Sequence, residues 1–146
     1  MRFRRLKEFI ALTLSVLFSL SLGAWIKGAN TLRLSDISGA RTFYLYTASS
    51  QALMKKELSF FDLFHVRGES VELTGTNVDE RFVQELVFRY GGEILFLEEA
   101  SGCISYYCFT PKFSGGVCVN GQRVNLHVAI GNGRCVVGSP IIFGGF

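Results

Sequence analysis

The sequence predicts an α+β fold, in which an N-terminal transmembrane or signal helix precedes a small domain with an antiparallel sheet packed on one long helix. Three observations predict it. An uncharged apolar run, Phe9–Ile26, follows a basic N-terminus, and an amphipathic helical pattern with end signals covers residues 77–90. Beyond it, apolar and polar residues alternate between glycine-containing turns.

The N-terminal segment, residues 1–27, has the order of an export signal. Four cations at positions 2, 4, 5 and 7 precede eighteen uncharged residues, and Lys27 follows. The cations predict a cytoplasmic N-terminus and export of the remainder. Cleavage after Gly23 would release a secreted domain, since Ser21-Leu22-Gly23 offers small residues there. We favour an uncleaved single-pass anchor in the cell membrane through residues 9–26, because ~1.5 Å per residue nearly spans the ~30 Å hydrocarbon core and Trp25 with Lys27 is typical of an interfacial anchor.

The charge beyond this segment is balanced. From Lys27 onward there are eleven Lys and Arg residues and eleven Asp and Glu residues, so the first eight residues hold the net charge of +3. This balance predicts that nucleic acid is not a partner. Residues 28–40 are polar and glycine-bearing and are interpreted as a juxtamembrane linker, which leaves residues 41–146 as the extracytoplasmic domain.

The first part of that domain mixes strand and helix signals. Thr42–Ala48 is β-branched and aromatic on both faces, which predicts a buried strand. A short helix capped by Ser49 or Ser50 is expected to reach about Leu58. Ser59–Val66 fits neither period, and Ser70–Thr74 alternates as a strand should.

The long helix has the clearest signals. Asn77 with Glu80 three residues later forms a capping box, and Gly91 stands where a glycine commonly follows the last helical turn. One face collects its apolar residues, namely Val78, Phe82, Val83, Leu86 and Tyr90.

The C-terminal third reads as hairpins. Glu93–Glu98 and Gly102–Thr110 are expected to pair, and Asn120-Gly121 suits a type I′ turn. Residues 124–130 alternate as a strand with one buried face, which places Asn125, His127 and Ala129 on its solvent side. Gly131-Asn132-Gly133 is expected to turn the chain into a last strand, Arg134–Gly138, which Ser139-Pro140 ends.

The four cysteines are candidates for disulfides if the domain is exported. They are Cys103, Cys108, Cys118 and Cys135. Extended geometry separates the first two by ~16 Å, so they cannot pair with each other. The pairings 103–118 with 108–135, and 103–135 with 108–118, stay open, as does the alternative of four free thiols with apolar neighbours.

No catalytic, cofactor or metal site is predicted. The cysteine spacing lacks the short knuckles of a zinc site, and His127 is expected on the surface. Glu98 and Glu99 are adjacent and point apart in a strand. A protein-interaction surface is the remaining candidate, formed by exposed apolar residues at two places, Phe60, Phe61 and Phe64, and Ile141, Ile142 and Phe143.

The region Ile104–Ile142 also carries a resemblance. Tyr106-Tyr107, Thr110-Pro111, Asn120-Gly121, Val124–Ala129 and Val137–Ile142 are similar to the closing region of the YwmB family, exported uncharacterised proteins of spore-forming Gram-positive bacteria. The resemblance implies a fold like that of the TATA-box-binding protein, and it implies no catalytic residue.

Together these patterns lead us to expect a membrane-tethered, non-enzymatic extracytoplasmic module with an interaction, envelope or sporulation-associated role. The alternative is a small enzyme or ligand-binding module that uses the cleft between the long helix and the sheet. That alternative requires Cys108, His127 or Tyr107 to converge on one pocket.

Overall fold

The computed structural model describes residues 2–46, 52–73 and 78–144, and it confirms the α+β class. Within these residues seven strands form one antiparallel sheet in the order β2-β1-β3-β9-β8-β5-β4, and β6 and β7 form a separate hairpin. The helical elements are α1 (Arg2–Thr31), a 3₁₀ turn η1 (Asp62–Phe64) and α2 (Glu80–Arg89). The strands are β1 (Ala40–Leu45), β2 (Leu53–Lys55), β3 (Val66–Leu73), β4 (Glu93–Ala100), β5 (Cys103–Phe109), β6 (Val117–Val119), β7 (Gln122–Val124), β8 (Leu126–Gly131) and β9 (Arg134–Ser139).

Helix α1 is long and apolar enough to cross a membrane. Its segment Arg5–Gly28 has 24 residues with a mean hydropathy of 2.1, and only 6% of its most apolar window is buried by the rest of the chain. The hydroxyls of Thr13, Ser19 and Ser21 each donate to the carbonyl four residues earlier. These polar groups are therefore satisfied within the helix, as a hydrocarbon environment requires.

Helix α2 begins two residues later than predicted. Asp79, in extended conformation, is its N-cap, and the carboxylate accepts from the amide of Phe82. The predicted cap, Asn77, lies outside the described residues. The C-terminal prediction is confirmed, because Gly91 has a φ of +62° and its amide donates to Phe88 O while the Gly92 amide donates to Val87 O. This pair of bonds is a Schellman motif.

The main core lies between α2 and one face of the sheet. Val83, Leu86 and Val87 of α2 pack with buried side chains of β3, β5, β8 and β9. Leu34 and Ile37 are buried in the same core. The structure therefore does not have a separate linker at residues 28–40. Helix α1 continues to Thr31, and the chain enters the core of the domain three residues later, at Leu34.

A buried ion pair fastens this joint to the sheet. Glu69 of β3 is fully buried, and its Oε1 accepts from the Leu34 amide at 2.8 Å. Its Oε2 accepts from Arg41 Nη1 at 2.7 Å. Arg41 Nη2 in turn donates to the carbonyls of Leu34 and Ile37. We call Glu69, Arg41 and Leu34 the latch, because they hold the chain after α1 against β1 and β3.

Several hairpin predictions are confirmed and one helix prediction is wrong. The β4–β5 pairing forms, and Asn120 and Gly121 both have positive φ, at 50° and 76°, as a type I′ turn requires. The predicted short helix up to Leu58 does not form in its described part: Leu53–Lys55 is strand β2, which pairs with β1, and a bend follows it. Ser49 and Ser50 lie outside the described residues.

The prediction of a solvent face on residues 124–130 is also wrong. Asn125, His127 and Ala129 are all buried. The chain after β9 folds back over this second face, where the Ile142 amide donates to His127 Nδ1 at 3.2 Å and the ring of Phe143 packs edge-on against Tyr44 at 5.0 Å. The sheet is thus covered on both faces at this point, which period-2 alternation alone does not predict.

Candidate functional site

The end of α1 contacts the phenylalanine-rich turn directly. Lys27 Nζ donates to the carbonyl oxygen of Phe64. Leu63 lies against the helix, since a Cβ built on Gly28 would stand 3.4 Å from its Cδ2, and Leu63 shares a small apolar recess with Trp25 and Gly28. The turn η1 is therefore packed on the last turns of the apolar helix.

The aromatic side chains of this turn point outward. Phe61 is 76% exposed and Phe60 is 47% exposed, whereas Phe64 is half-buried. The ring of Phe60 makes edge contacts with Phe61 at 5.7 Å and with Phe64 at 5.8 Å. We call Phe60 and Phe61 the aromatic tip. The other apolar group predicted to be exposed is only partly so, because Ile141, Ile142 and Phe143 pack on the sheet and are half-buried.

Asp62 holds the turn in shape. Its carboxylate accepts from Lys55 Nζ at 2.7 Å and from the amide and hydroxyl of Ser59 at 2.8 Å. These partners favour the charged form and lower the pKa of Asp62 to about 2, with the Lys55 bond the largest cause. The aromatic tip is thus presented by a hydrogen-bonded turn.

A basic cleft lies beside the same helix end. It has a volume of about 570 Å³ and is lined by three cations, Lys27, Arg33 and Arg67, with Tyr46 and Ser114 among the other lining residues. No Asp or Glu is among the described residues that line it. The cleft opens at the end of the sheet where β3 begins and β9 finishes.

Arg33 and Arg67 are oriented by neighbours. The guanidinium of Arg67 lies 5.1 Å from the ring centroid of Tyr46, and that of Arg33 lies 5.7 Å from the ring of Phe113. Arg33 Nη2 donates to Ser114 Oγ. Its Nε is buried with no hydrogen-bond acceptor among the described residues. Burial lowers the pKa of Arg33 from its usual value.

The three residues required by the enzyme alternative divide between the faces of the sheet. Tyr107 stacks on His127 at 4.5 Å and on Phe96 at 4.6 Å across neighbouring strands. Cys108, the next residue in β5, is fully buried in the opposite core. Burial raises its thiol pKa to about 12, so the reactive thiolate is disfavoured.

His127 is a buried neutral base rather than the surface residue predicted. Burial lowers its pKa to about 4, although the carboxylate of Glu98 acts in the opposite direction. Because Nδ1 accepts from the Ile142 amide, the ring proton is assigned to Nε2, which has no acceptor among the described residues. Glu98 itself accepts from the Tyr107 hydroxyl at 3.1 Å.

Of the alternatives left open for the cysteines, the structure has the free thiols, because none of the four forms a disulfide. Strand β8 separates β5 from β9, so Cys103 and Cys135 stand two strand spacings apart, roughly 9–10 Å, beyond the ~7 Å limit for a disulfide. Cys118 is exposed on the separate β6–β7 hairpin. In the described parts of the chain, no three His, Cys, Asp or Glu side chains cluster as metal ligands.

Comparison with known proteins adds no assignment, since no family model, curated protein or solved structure matches this chain. The basic cleft was not predicted from the sequence. Lys27, Arg33 and Arg67 are spread over forty positions, and no motif connects them.

Proposed function

We propose that this chain is a single-pass, membrane-tethered module whose folded domain is held against the outer surface of the cell membrane and acts there without catalysis. The observation that carries the proposal is the direct entry of α1 into the domain. Between Thr31, the last residue of the helix, and the buried Leu34 there are only two residues. The latch then ties Leu34 to β3. A domain attached in this way has little freedom to move away from the membrane.

The direction of insertion follows from charge. The cations before the apolar segment favour a cytoplasmic N-terminus. The domain is then extracytoplasmic, and the balanced charge of residues 27–146 gives it no general attraction for polyanions. The resemblance to the exported YwmB family favours the same location and an envelope or sporulation-associated role.

The aromatic tip would enter the interfacial layer of the same bilayer. Phe60 and Phe61 are exposed on the same turn whose Phe64 carbonyl binds Lys27, near the end of the apolar span. Phenylalanine is among the side chains that interfacial segments bury at the boundary between headgroups and acyl chains. Contact with the bilayer would explain why these two phenylalanines are exposed, and it requires no protein partner.

Two features support a non-catalytic role. The Tyr107 and His127 side chains are stacked in a covered face, and Cys108 faces the other core. The alternative, a ligand-binding or enzymatic module in the helix–sheet space, has no support from that region, because apolar side chains fill it.

Cys118 provides a test of topology, because it is the exposed one of the four thiols. A membrane-impermeant maleimide should label Cys118 in intact cells, on a chain that sediments with membranes at full-length mass. The Cys118→Ser variant should lose the label. Labelling only after permeabilisation would show that the domain lies in the cytoplasm. A soluble product lacking residues 1–23 would show that the segment is cleaved and that the domain is not tethered.

Tryptophan quenching by brominated lipids tests the aromatic tip. Trp25 is the single tryptophan, so Trp25→Phe supplies a silent background for the full chain in bilayers. Phe61→Trp in that background should be quenched. Ala100→Trp is the matched control, because Ala100 is exposed at the far end of β4, seven residues or ~23 Å from Glu93. Equal quenching at both positions, or at neither, would contradict insertion of the tip.

A further inference from the structure

We propose that the basic cleft is a binding site for a phosphate group, supplied either by the headgroup of an anionic lipid or by a soluble phosphate ester. The cleft is lined by Lys27, Arg33 and Arg67 and by no described acidic residue. Three cations around about 570 Å³ form a local positive site in a domain whose cations and anions are equal in number overall.

The neighbouring carboxylates do not neutralise this site. Glu69 is bound to Arg41 in the latch, and Asp62 is bound to Lys55. Neither carboxylate lines the cleft. An anion entering the cleft therefore meets cations whose charge is not already paired by these two acids.

Arg33 lines the cleft and has a hydrogen-bond donor that its described neighbours leave unused. Its Nε–H is buried and has no acceptor in the described chain, and an unmet buried donor costs free energy until an acceptor arrives. Phosphate oxygens are acceptors that suit the planar guanidinium. Burial also disfavours the charged form of Arg33, so an anion beside it would offset that penalty.

Arg67 and Ser114 complete the site. The ring of Tyr46 supports the guanidinium of Arg67, which limits the freedom lost when a ligand binds. The Ser114 hydroxyl accepts from Arg33 and can still donate its own proton to a ligand oxygen.

The position of the cleft favours a lipid as the source. Lys27 is the penultimate residue of the apolar span Arg5–Gly28, so a group bound beside it lies at the depth of the headgroups. This part of the inference rests on the proposed membrane tether. The phosphate chemistry does not, because a cleaved and secreted domain that keeps Lys27 would retain all three cations.

The experiment uses the full chain in phosphatidylcholine nanodiscs with and without phosphatidylglycerol. Native mass spectrometry after release counts the lipids retained by each protein molecule. In a second arm, glycerol 3-phosphate is titrated into pure phosphatidylcholine nanodiscs and followed by calorimetry. Selective retention of phosphatidylglycerol supports the lipid source, and saturable binding of glycerol 3-phosphate alone supports the soluble source.

Three variants distinguish binding in the cleft from attraction by the general surface charge. Arg67→Gln should weaken binding about fivefold, and Ser114→Glu should abolish it by placing a carboxylate next to Arg33. Arg81→Gln is the control, since Arg81 is highly exposed on α2 and outside the cleft. Each variant is first tested for folding: in a folded domain, the buried Cys108 thiol stays protected from alkylation.

The absence of binding in both arms by the folded wild-type chain would overturn the proposal, as would equal losses in Arg67→Gln and Arg81→Gln. A failed tether is recognised separately by the labelling of Cys118. With the topology as proposed and both arms negative, only the cleft is refuted. With a soluble, cleaved product that binds glycerol 3-phosphate, only the tether is refuted.

Discussion

The latch can be tested by replacing Glu69 with glutamine. The Glu69→Gln change keeps the shape of the side chain and an acceptor oxygen, but it removes the negative charge. Arg41 Nη1, now 2.7 Å from Glu69 Oε2, would then face a neutral amide, and the new NH₂ group would stand close to either the guanidinium or the Leu34 amide. One buried donor is therefore left opposite another.

The magnitude follows from burial. Losing one partner of a buried ion pair typically costs about 3–5 kcal/mol. The Glu69 side chain is fully buried, but that of Arg41 is 24% exposed, so water can recover part of the loss. We expect the free energy of unfolding to fall by about 2–4 kcal/mol, which corresponds to roughly a 30-fold to 700-fold larger open population.

Glu72→Gln is the matched control. Glu72 lies three residues along the same strand, and it pairs with Arg134 at the same distance of 2.7 Å. The side chains of this pair are 31% and 49% exposed, so both charges are accessible to water, unlike the fully buried Glu69. Removing the charge there should cost less than about 1 kcal/mol.

The buried thiols supply the assay. Cys108 and Cys135 are almost completely buried, so their alkylation in the full chain requires opening of the domain, while Cys118 reacts at once and serves as an internal standard. Alkylation of Cys108 and Cys135 should accelerate strongly in Glu69→Gln and hardly in Glu72→Gln. Similar rates in the two variants would refute the idea that the latch stabilises the domain through its buried charge.

Three further changes have defined outcomes. Burial lowers the pKa of His127 from 6.5 to about 4, so on acidification the unfolded chain binds the proton before the folded chain does. The free energy of unfolding should therefore fall by about 3 kcal/mol as the pH is lowered from 6.5 to 4. In His127→Asn, the melting temperature should depend less on pH over this range. Asn125→Ala removes the side chain that bonds the amide and carbonyl of Thr110 and the carbonyl of Phe113, so it should lower the free energy of unfolding by at least about 3 kcal/mol in the same alkylation assay. Gly68→Ala should cost about 1–3 kcal/mol and lower the melting temperature, because the added methyl would meet the Ser139 carbonyl; an unchanged melting temperature would contradict that clash.

The parts of the fold that are set by neighbouring residues could be predicted from the sequence. The apolar helix, the C-terminal end of α2 at Gly91 and the turn at Asn120-Gly121 each depend on a few adjacent residues. The N-cap was predicted two residues early, because Asn77 and Asp79 are both good caps and the pattern does not choose between them.

Features that depend on distant contacts could not be predicted. Leu53–Lys55 is a strand because β1 offers it a partner, and tertiary pairing overrides a weak local preference for helix. His127 is buried because the chain near Ile142 returns over its strand. The basic cleft has the same origin, since Lys27, Arg33 and Arg67 meet only when α1, the chain that follows it and β3 come together.

The latch, the aromatic tip and the basic cleft all lie where α1 enters the domain, and this suggests a common physical reason. A flexible linker would allow the domain to tumble, and neither Phe61 nor Arg33 would then have a fixed height above the bilayer. The latch holds Leu34 against β3, and Lys27 holds the turn that carries the tip. Loosening the latch by Glu69→Gln should therefore also weaken the quenching of a tryptophan at position 61 and the retention of phosphatidylglycerol, although residue 69 belongs to neither the aromatic tip nor the lining of the basic cleft. Unchanged quenching and retention, in a variant that alkylates faster, would show that the joint stabilises the domain without orienting it.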